Sequence, residues 1–387
     1  MTTADAAALA PALAAELEAQ LPAMLEATER MVAIDSGSHD TGGVRAVAEQ
    51  VAALLRPAGF SGGWVEVAGS APLLRAELHA GAPRRLLVLG HADTVWPPGT
   101  AAEWPFHRSG GRISGPGVGD MKSCLVMACF ALAALVKRGL LDGTAVSFLV
   151  VPDEELGSVG SRAEIERAAG TAGACLCLEA AAADGSLVDS RGAVGAMVVH
   201  ATGRSAHVTD RPPGASALAP LAALVGPLEA LGDRAGGAAV TAGILRAGSA
   251  RQVVPDHGEL HLDLRAPDAA TAAELEAQVR ELVDGVSADG VLLAAEGGIT
   301  RPAWPRSAAG DRLAEFARTA AAALGDEVDF RAERGGSDAS FAGALGVPTL
   351  DGLGPVCHDS CSRAESVEIA SIARRGAVFA ALAAARP

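Results

Sequence analysis

Apolar residues recur at helical spacing between residues 7 and 33, at Leu13, Leu17, Leu21, Met24, Leu25, Met31 and Val32, and the run stops at Ile34-Asp35-Ser36-Gly37. A second helix is predicted from about Gly43 to Arg56. The pattern then changes. Leu86–Leu89, Val146–Val151 and Cys175–Leu178 are short unbroken apolar runs, as expected of strands buried on both faces of a parallel sheet. Lys122–Arg138, between the first two, reads as a buried helix. Each apolar strand is followed at once by residues capable of chemistry: His91, then Asp153-Glu154-Glu155, then Glu179. Open α/β sheets place their sites at such strand ends.

The middle of the chain has another rhythm. Val194–Thr202 alternates as a strand, Ala215–Leu231 is helical, Thr241–Ala247 and Glu259–Arg265 read as strands, Ala270–Val286 as a helix and Val291–Ala295 as a last strand. That order is βαββαβ, a ferredoxin-like unit. Helical spacing returns at Asp311–Leu324, and the Ala-rich stretch Ala380–Ala385 reads as a helix face. The predicted fold class is α/β. A discontinuous catalytic domain of residues 1–190 and 301–387, with a mixed sheet flanked by helices, is interrupted by a ferredoxin-like lid or dimerisation domain at 191–300. One exposed sheet edge on that lid can pair with its copy, which predicts a homodimer.

Composition narrows the picture. The 387 residues leave room for two domains, and half of them are hydrophobic. Aromatics are 3% and Tyr is absent, so Leu, Val and Ala must supply the core. A formal charge of -15 argues against nucleic acid, which demands clustered Lys and Arg. No run of about 18 apolar residues stands out, so no membrane span is expected. Met1-Thr2-Thr3-Ala4-Asp5 lacks the basic segment of a signal peptide. Six cysteines without a C-x-x-C pair are no disulfide framework, and a reduced, cytoplasmic protein is expected.

Three clusters carry the chemistry. In Gly90-His91-Ala92-Asp93, imidazole is a good zinc ligand and Asp93 can orient the ring, although such a pair also arises by chance. Asp120, in Gly117-Val118-Gly119-Asp120-Met121-Lys122, can bridge two cations with one carboxylate or simply cap the following helix. Adjacent Glu154 and Glu155 repel unless a cation or a shared proton relieves them; they suit one ligand and one general base, or else form a solvated acidic turn. Glu179 can close one metal's shell. The late His358, otherwise a plain loop histidine, is the best-placed source of one more nitrogen ligand.

The order His-x-Asp, Gly-x-Gly-Asp-Met-Lys, Asp-Glu-Glu, Glu and a late His resembles the glutamate carboxypeptidase, aminoacylase and acetylornithine deacetylase family of two-zinc hydrolases, metallopeptidase family 20, over nearly the whole chain. The nearest likeness is to its bacterial glutamate carboxypeptidase branch. The resemblance implies two divalent cations, expected to be zinc, one held by His91 and Glu179 and the other by Glu155 and His358, with Asp120 bridging and its bond to Met121 cis. It makes Asp93 the orienter of His91 and Glu154 the general base. His207, in Gly203-Arg204-Ser205-Ala206-His207, would reach the partner subunit's site and steady an oxyanion, or be a surface-loop histidine. Arg265, Arg301 and the Gly335-Gly336 loop resemble a pocket for the substrate carboxylate, the bland alternative for each arginine being a salt bridge.

The chain departs from the family in three places. Ser123-Cys124 follows Met121-Lys122, where small residues are common. Gln252 stands where an Asn is usual, which alters a substrate contact. The late histidine usually precedes a Glu by about five residues, but His358 precedes Glu365 by seven, with Cys357 and Cys361 flanking it. That is a loop insertion, or it puts a thiol near the metal. The expected function is amide hydrolysis beside a free carboxylate, on a small molecule or short peptide, as a glutamate carboxypeptidase-like exopeptidase or N-acyl amino acid hydrolase. The alternatives are a deacetylase, desuccinylase or carbamoyl-amino-acid hydrolase with an unusual acyl group and, remotely, a non-catalytic binding protein on the same scaffold.

Overall fold

The first apolar stripe forms one helix, α1 (Thr3–Val32), which buries Leu13, Leu17, Met24, Leu25, Met31 and Val32. The computed structural model describes residues 3–210 and 213–385, so Met1 and Thr2, part of the stretch read for a signal peptide, lie outside the described residues. The chain divides into two compact units. One comprises the chain up to Ser190, Arg306–Ala332 and Ser337 onward; the other is Arg191–Pro305 with Glu333–Gly336.

The first unit continues with α2 (Thr41–Leu55), β1 (Ser61–Val65), β2 (Leu73–Leu78), β3 (Arg84–His91), α3 (Thr100–Glu103), β4 (His107–Ser109), β5 (Arg112–Ser114), α4 (Ser123–Lys137), β6 (Thr144–Val151), α5 (Arg162–Ala169), β7 (Ala174–Cys177) and β8 (Leu187–Arg191). The second holds β9 (Ala193–Thr202), α6 (Leu218–Glu229), β10 (Ala239–Ala247), β11 (His257–Ala266), α7 (Ala269–Asp284) and β12 (Leu292–Arg301). The chain ends with α8 (Ala308–Ala322), β13 (Phe330–Glu333), α9 (Ala339–Ala344), β14 (Thr349–Leu350), β15 (Cys357–His358), β16 (Ser366–Glu368) and α10 (Ile369–Ala384).

In the first unit the main sheet has the order β1-β2-β6-β3-β7-β14. β3 runs parallel to β6 and β7, and β7 to β14, while β2 is antiparallel to both β1 and β6, so the sheet is mixed. The apolar runs of β3, β6 and β7 are buried as their lack of alternation requires. Because the three are parallel, His91, Asp153–Glu155 and Glu179 emerge at the same end of the sheet. A small antiparallel sheet, β15-β16-β5-β4, carries the late Cys/His segment. Helix α4 is apolar on nearly every side because it is covered on nearly every side. Together with the turn before it, Val118–Lys137, it is long and apolar enough to cross a membrane by length and composition, but 83% of that window is buried in the fold, as befits a core helix. Ala380–Ala384 are likewise buried, their small side chains serving helix packing.

The second unit is a four-stranded antiparallel sheet of order β10-β11-β9-β12 with α6 and α7, the ferredoxin-like arrangement. Two boundaries differ from the pattern. Helix α6 starts at Leu218 because Ala215 pairs with Arg204 as a bridge. Strand β12 runs on to Arg301: Glu296-Gly297-Gly298 breaks the apolar alternation, yet the backbone stays paired with β9, in register as far as Ile299 and with an irregularity before Arg301.

Candidate metal centre and active site

Strand β3 delivers His91 with its ring fixed from both sides. Its Nδ1 lies 2.9 Å from the Asp93 carbonyl oxygen and 3.4 Å from the Asp93 carboxylate. Its Nε2 faces Asp120 Oδ1 at 3.0 Å and Glu179 Oε1 at 3.9 Å. Asp93 is fully buried and does more than face the ring. Its carboxylate accepts from Ser38 Oγ (2.7 Å) and from the N–H groups of Glu154 and Glu155, both at 3.1 Å. One carboxylate therefore holds the imidazole and the Glu-Glu turn in a common frame.

Asp120 enters through the Gly-rich turn. Gly117 adopts φ +69, which glycine alone adopts freely, and the Asp120–Met121 peptide is cis. Helix α4 begins only at Ser123, so Asp120 is not its cap. Buried Lys122 donates to the carbonyls of Ile34 (2.8 Å) and Pro116 (3.2 Å), and burial pulls its ammonium down to about 8. From the far end of the chain, Glu365 Oε1 accepts from the N–H groups of Gly119 (2.7 Å) and Asp120 (3.3 Å), while its Oε2 accepts from Cys361 N–H (3.0 Å). Burial pushes this carboxyl up to about 7. Cys361 is held at φ +59, and its thiol lies 3.2 Å from Asp120 Oδ2, the oxygen to which Ser360 Oγ also donates.

The result is two donor groups sharing Asp120. His91, Asp120 and Glu179 form one; Asp120, Glu155 and Cys361 form the other, the ligand atoms within each lying inside 4.8 Å of one another. The residues fit divalent cations. Burial, with the charge of Asp120, holds the Glu179 carboxyl well above its ordinary range and pushes Glu155 up to about 8. Burial pulls the His91 imidazole down, but its bonds to Asp120 and Asp93 and the charge of Glu179 outweigh that and hold it well above its usual value. Glu155 Oε1 is buried with no hydrogen-bond partner. A cation is what such converging oxygens lack.

His358 does not join either group. Pairing with β16 fixes it on β15, and its Nε2 lies 2.9 Å from Glu368 Oε1. Asp359 and Cys361, both at positive φ, then turn the chain so that Cys361 reaches Asp120. The spacing held this signal: Cys361 stands four residues before Glu365, nearer the usual five than His358 at seven. Ser38, Glu365 and Lys122 also went unassigned in the sequence, since their partners Asp93, Gly119 and Ile34 respectively lie far away along the chain. A cleft of about 810 Å³ adjoins Glu155, lined among others by His39, Val95, Trp96, Pro98 and Leu156.

The remaining predicted residues belong to the second unit. His207 pairs with Val253, and the next N–H, of Val208, donates to the Gln252 carbonyl (3.1 Å), so His207 and Gln252 sit side by side. His207 Nδ1 is 2.7 Å from Thr209 Oγ1. Arg301 is buried and packs on Gly336, where an added Cβ would lie 2.7 Å from its Cδ. Arg191, which the sequence reading missed, donates to the Gly335 carbonyl at 2.9 Å. The Arg265 fork is taken by both oxygens of Asp263, each at 2.8 Å, the salt-bridge alternative.

Known proteins agree with this architecture. The profile described as Peptidase family M20/M25/M40 matches residues 87–385. Carboxypeptidase G2 of Pseudomonas sp. (strain RS-16) is 30% identical over 372 residues, 91% of this chain and 86% of that protein. A succinyl-diaminopimelate desuccinylase of Methylobacterium sp. (strain 4-46) is 30% identical over 226 residues, 53% of this chain and 57% of its own. Among solved structures, the M20 family metallo-carboxypeptidase Sso-CP2 from Sulfolobus solfataricus superposes with a TM-score of 0.70 at 17% identity, covering 93% of this chain and 99% of that one. With a family profile spanning most of its length and a full-length relative at that identity, the chain is a member of peptidase family M20/M25/M40.

Proposed function

We propose that this M20 hydrolase uses two divalent cations, zinc as first choice, to cleave an amide bond next to a free carboxylate. The observation that carries the reading is Asp120 standing between two donor groups. His91 and Glu179 would complete the first site with Asp120, and Glu155 the second. When bound, such cations supply Lewis acidity at the scissile carbonyl and acidify a water. Glu154 holds the proton taken from that water and delivers it to the departing nitrogen. Asp93 keeps Glu154 and Glu155 in place through their backbone N–H groups. His207, with Nδ1 engaged by Thr209, presents Nε2 to the developing oxyanion across a homodimer. Arg301, backed by Gly336, receives the substrate carboxylate together with the Gly335-Gly336 loop, with Gln252 beside His207; Arg265, held by Asp263, braces the loop through the Arg334 carbonyl (3.0 Å). Six free cysteines accord with a cytoplasmic, reducing setting.

The substrate class is a glutamate carboxypeptidase-like peptide or N-acyl amino acid. Likeness to carboxypeptidase G2 over 91% of the chain supports this, and the Trp96–Leu156 cleft suits a bulky apolar group. The desuccinylase likeness supports a succinyl conjugate as the second reading. Metal content and a panel of aryl-acyl glutamates, succinyl and acetyl amino acids test both. Near two ions per chain and preferred cleavage of aryl-acyl glutamates are expected. Glu154→Gln should keep its metal and lose about 10²–10⁴-fold in kcat. Less than one ion per chain, or near-normal turnover in Glu154→Gln, defeats the mechanism.

A further inference from the structure

We infer that Cys361 supplies a sulfur ligand to the second cation, in the place where the sequence points to His358. The inference rests on the two-cation reading and deepens it: the two halves of the centre then differ in kind, one built of nitrogen and oxygen, the other of sulfur and oxygen.

Five observations converge on this residue. Its Sγ groups with carboxylate oxygens of Asp120 and Glu155 inside 4.8 Å, and Asp120 is the residue shared with the His91 group. The buried Glu155 Oε1, within the same group, has no partner. The Cys361 loop is fastened rather than loose: Glu365 takes the Cys361 N–H, and the Arg363 guanidinium lies 5.3 Å from the Trp96 ring and 5.7 Å from the Trp104 ring. The imidazole that would compete is turned to Glu368. Among the described residues, the other five cysteines are buried and Cys361 alone is exposed.

A thiolate there changes what the site selects. Soft sulfur favours zinc, cobalt or cadmium over magnesium and manganese, whereas the His91, Asp120 and Glu179 group keeps the broader acceptance of an N/O set. The second position is thus the thiophilic one.

Cobalt(II) substitution of the full chain reads this directly, because a thiolate bound to cobalt gives a near-ultraviolet charge-transfer absorption that nitrogen and oxygen ligands do not. The wild type, titrated with cobalt(II) alone, should bind two ions and show the band. Cys361→Ser should lose the band and weaken one of the two ions at least about 10-fold. Cys361→His should recover that ion without the band, which also shows that the loop still folds. His358→Ala and Cys357→Ala should keep both. Two bound ions without a band, a band that survives Cys361→Ser, or loss of the second ion in His358→Ala instead would each overturn the inference while leaving the two-cation reading standing. A wild type that binds less than one ion overturns both.

Discussion

At the scale of single residues, Gly119 is the position where one methyl group should matter most. An added Cβ would lie 2.2 Å from Cys357 Sγ and 3.3 Å from Val367 Cγ2, and the residue cannot retreat because its N–H is anchored on Glu365. Gly119→Ala should cost about 1–3 kcal/mol of stability through overpacking. In a Cys357→Ala background, where the sulfur is gone, part of that cost should return, with a coupling of about 0.5–3 kcal/mol. Urea denaturation of the four proteins measures it, and strictly additive costs would refute the contact. The same neighbourhood shows what a sequence reveals. His91, Asp120, Glu155 and Glu179 stood out because each follows an apolar run or a Gly-rich turn, and the fold does bring them together. Cys361 stood out only as one of two thiols flanking His358, because residue type favoured the histidine and only backbone turns at Asp359 and Cys361 decide which side chain reaches Asp120. The Asp93 clamp on Glu154 and Glu155, and the Glu365 clamp on Gly119, join residues too far apart in sequence to leave a local pattern.

At the scale of elements, periodicity located the strands and helices well where one face or both is buried. It failed at edges such as β12, where register with β9 carries the strand past two glycines. It also cannot foresee how a short polar helix is held. α5 is eight residues long and has low mean hydropathy. Its Glu164 accepts from Arg167 Nε (2.7 Å) and Nη2 (2.6 Å) and from Arg75 Nη1 of β2 (3.2 Å). The bonds from Arg167, ahead of its charge and that of Arg75, hold the Glu164 carboxyl below its ordinary 4.5. A carboxyl depressed by folding binds fewer protons in the native than in the unfolded chain, so stability rises with pH through this window. The contribution is complete above 4.5 and fades as pH falls through the lowered native value. Glu164→Gln should therefore cost about 0.5–1 kcal/mol at neutral pH. The gap to the parent should close in acid, once pH falls below the lowered native value. Thermal unfolding at both pH values decides it; a gap independent of pH would assign the effect to packing instead.

At the scale of the whole molecule, the two sheet edges of the second unit are not equivalent. Along β12, Arg280 of α7 donates to the carbonyls of Ala295 (2.9 Å) and Gly297 (2.6 Å), and Glu276 accepts the Ile299 N–H (3.2 Å), so side chains occupy that edge. The first half of β10 is similarly engaged, with Arg234 on the Val240 carbonyl and Glu229 on the Ala242 N–H. Its second half differs: past the irregularity between Ala242 and Ile244, the adjacent apolar side chains Ile244 and Leu245 are 43% and 38% exposed. An edge left open with apolar residues on it invites pairing with its copy. Sedimentation should give a species of twice the chain mass, and Ile244→Lys should shift it toward a single chain by placing two like charges against each other across a symmetric seam. A wild type that sediments as one chain, or a variant that stays double, would refute this edge. The two donor groups lie wholly within the first unit, so dissociation should leave the metal content unchanged. His207 belongs to the second unit, and if it serves the partner's site, turnover must fall with dissociation even though every metal-binding residue is intact. Loss of kcat with full metal occupancy in the dissociated variant would establish that division of labour, whereas unchanged kcat would confine His207 to its own chain.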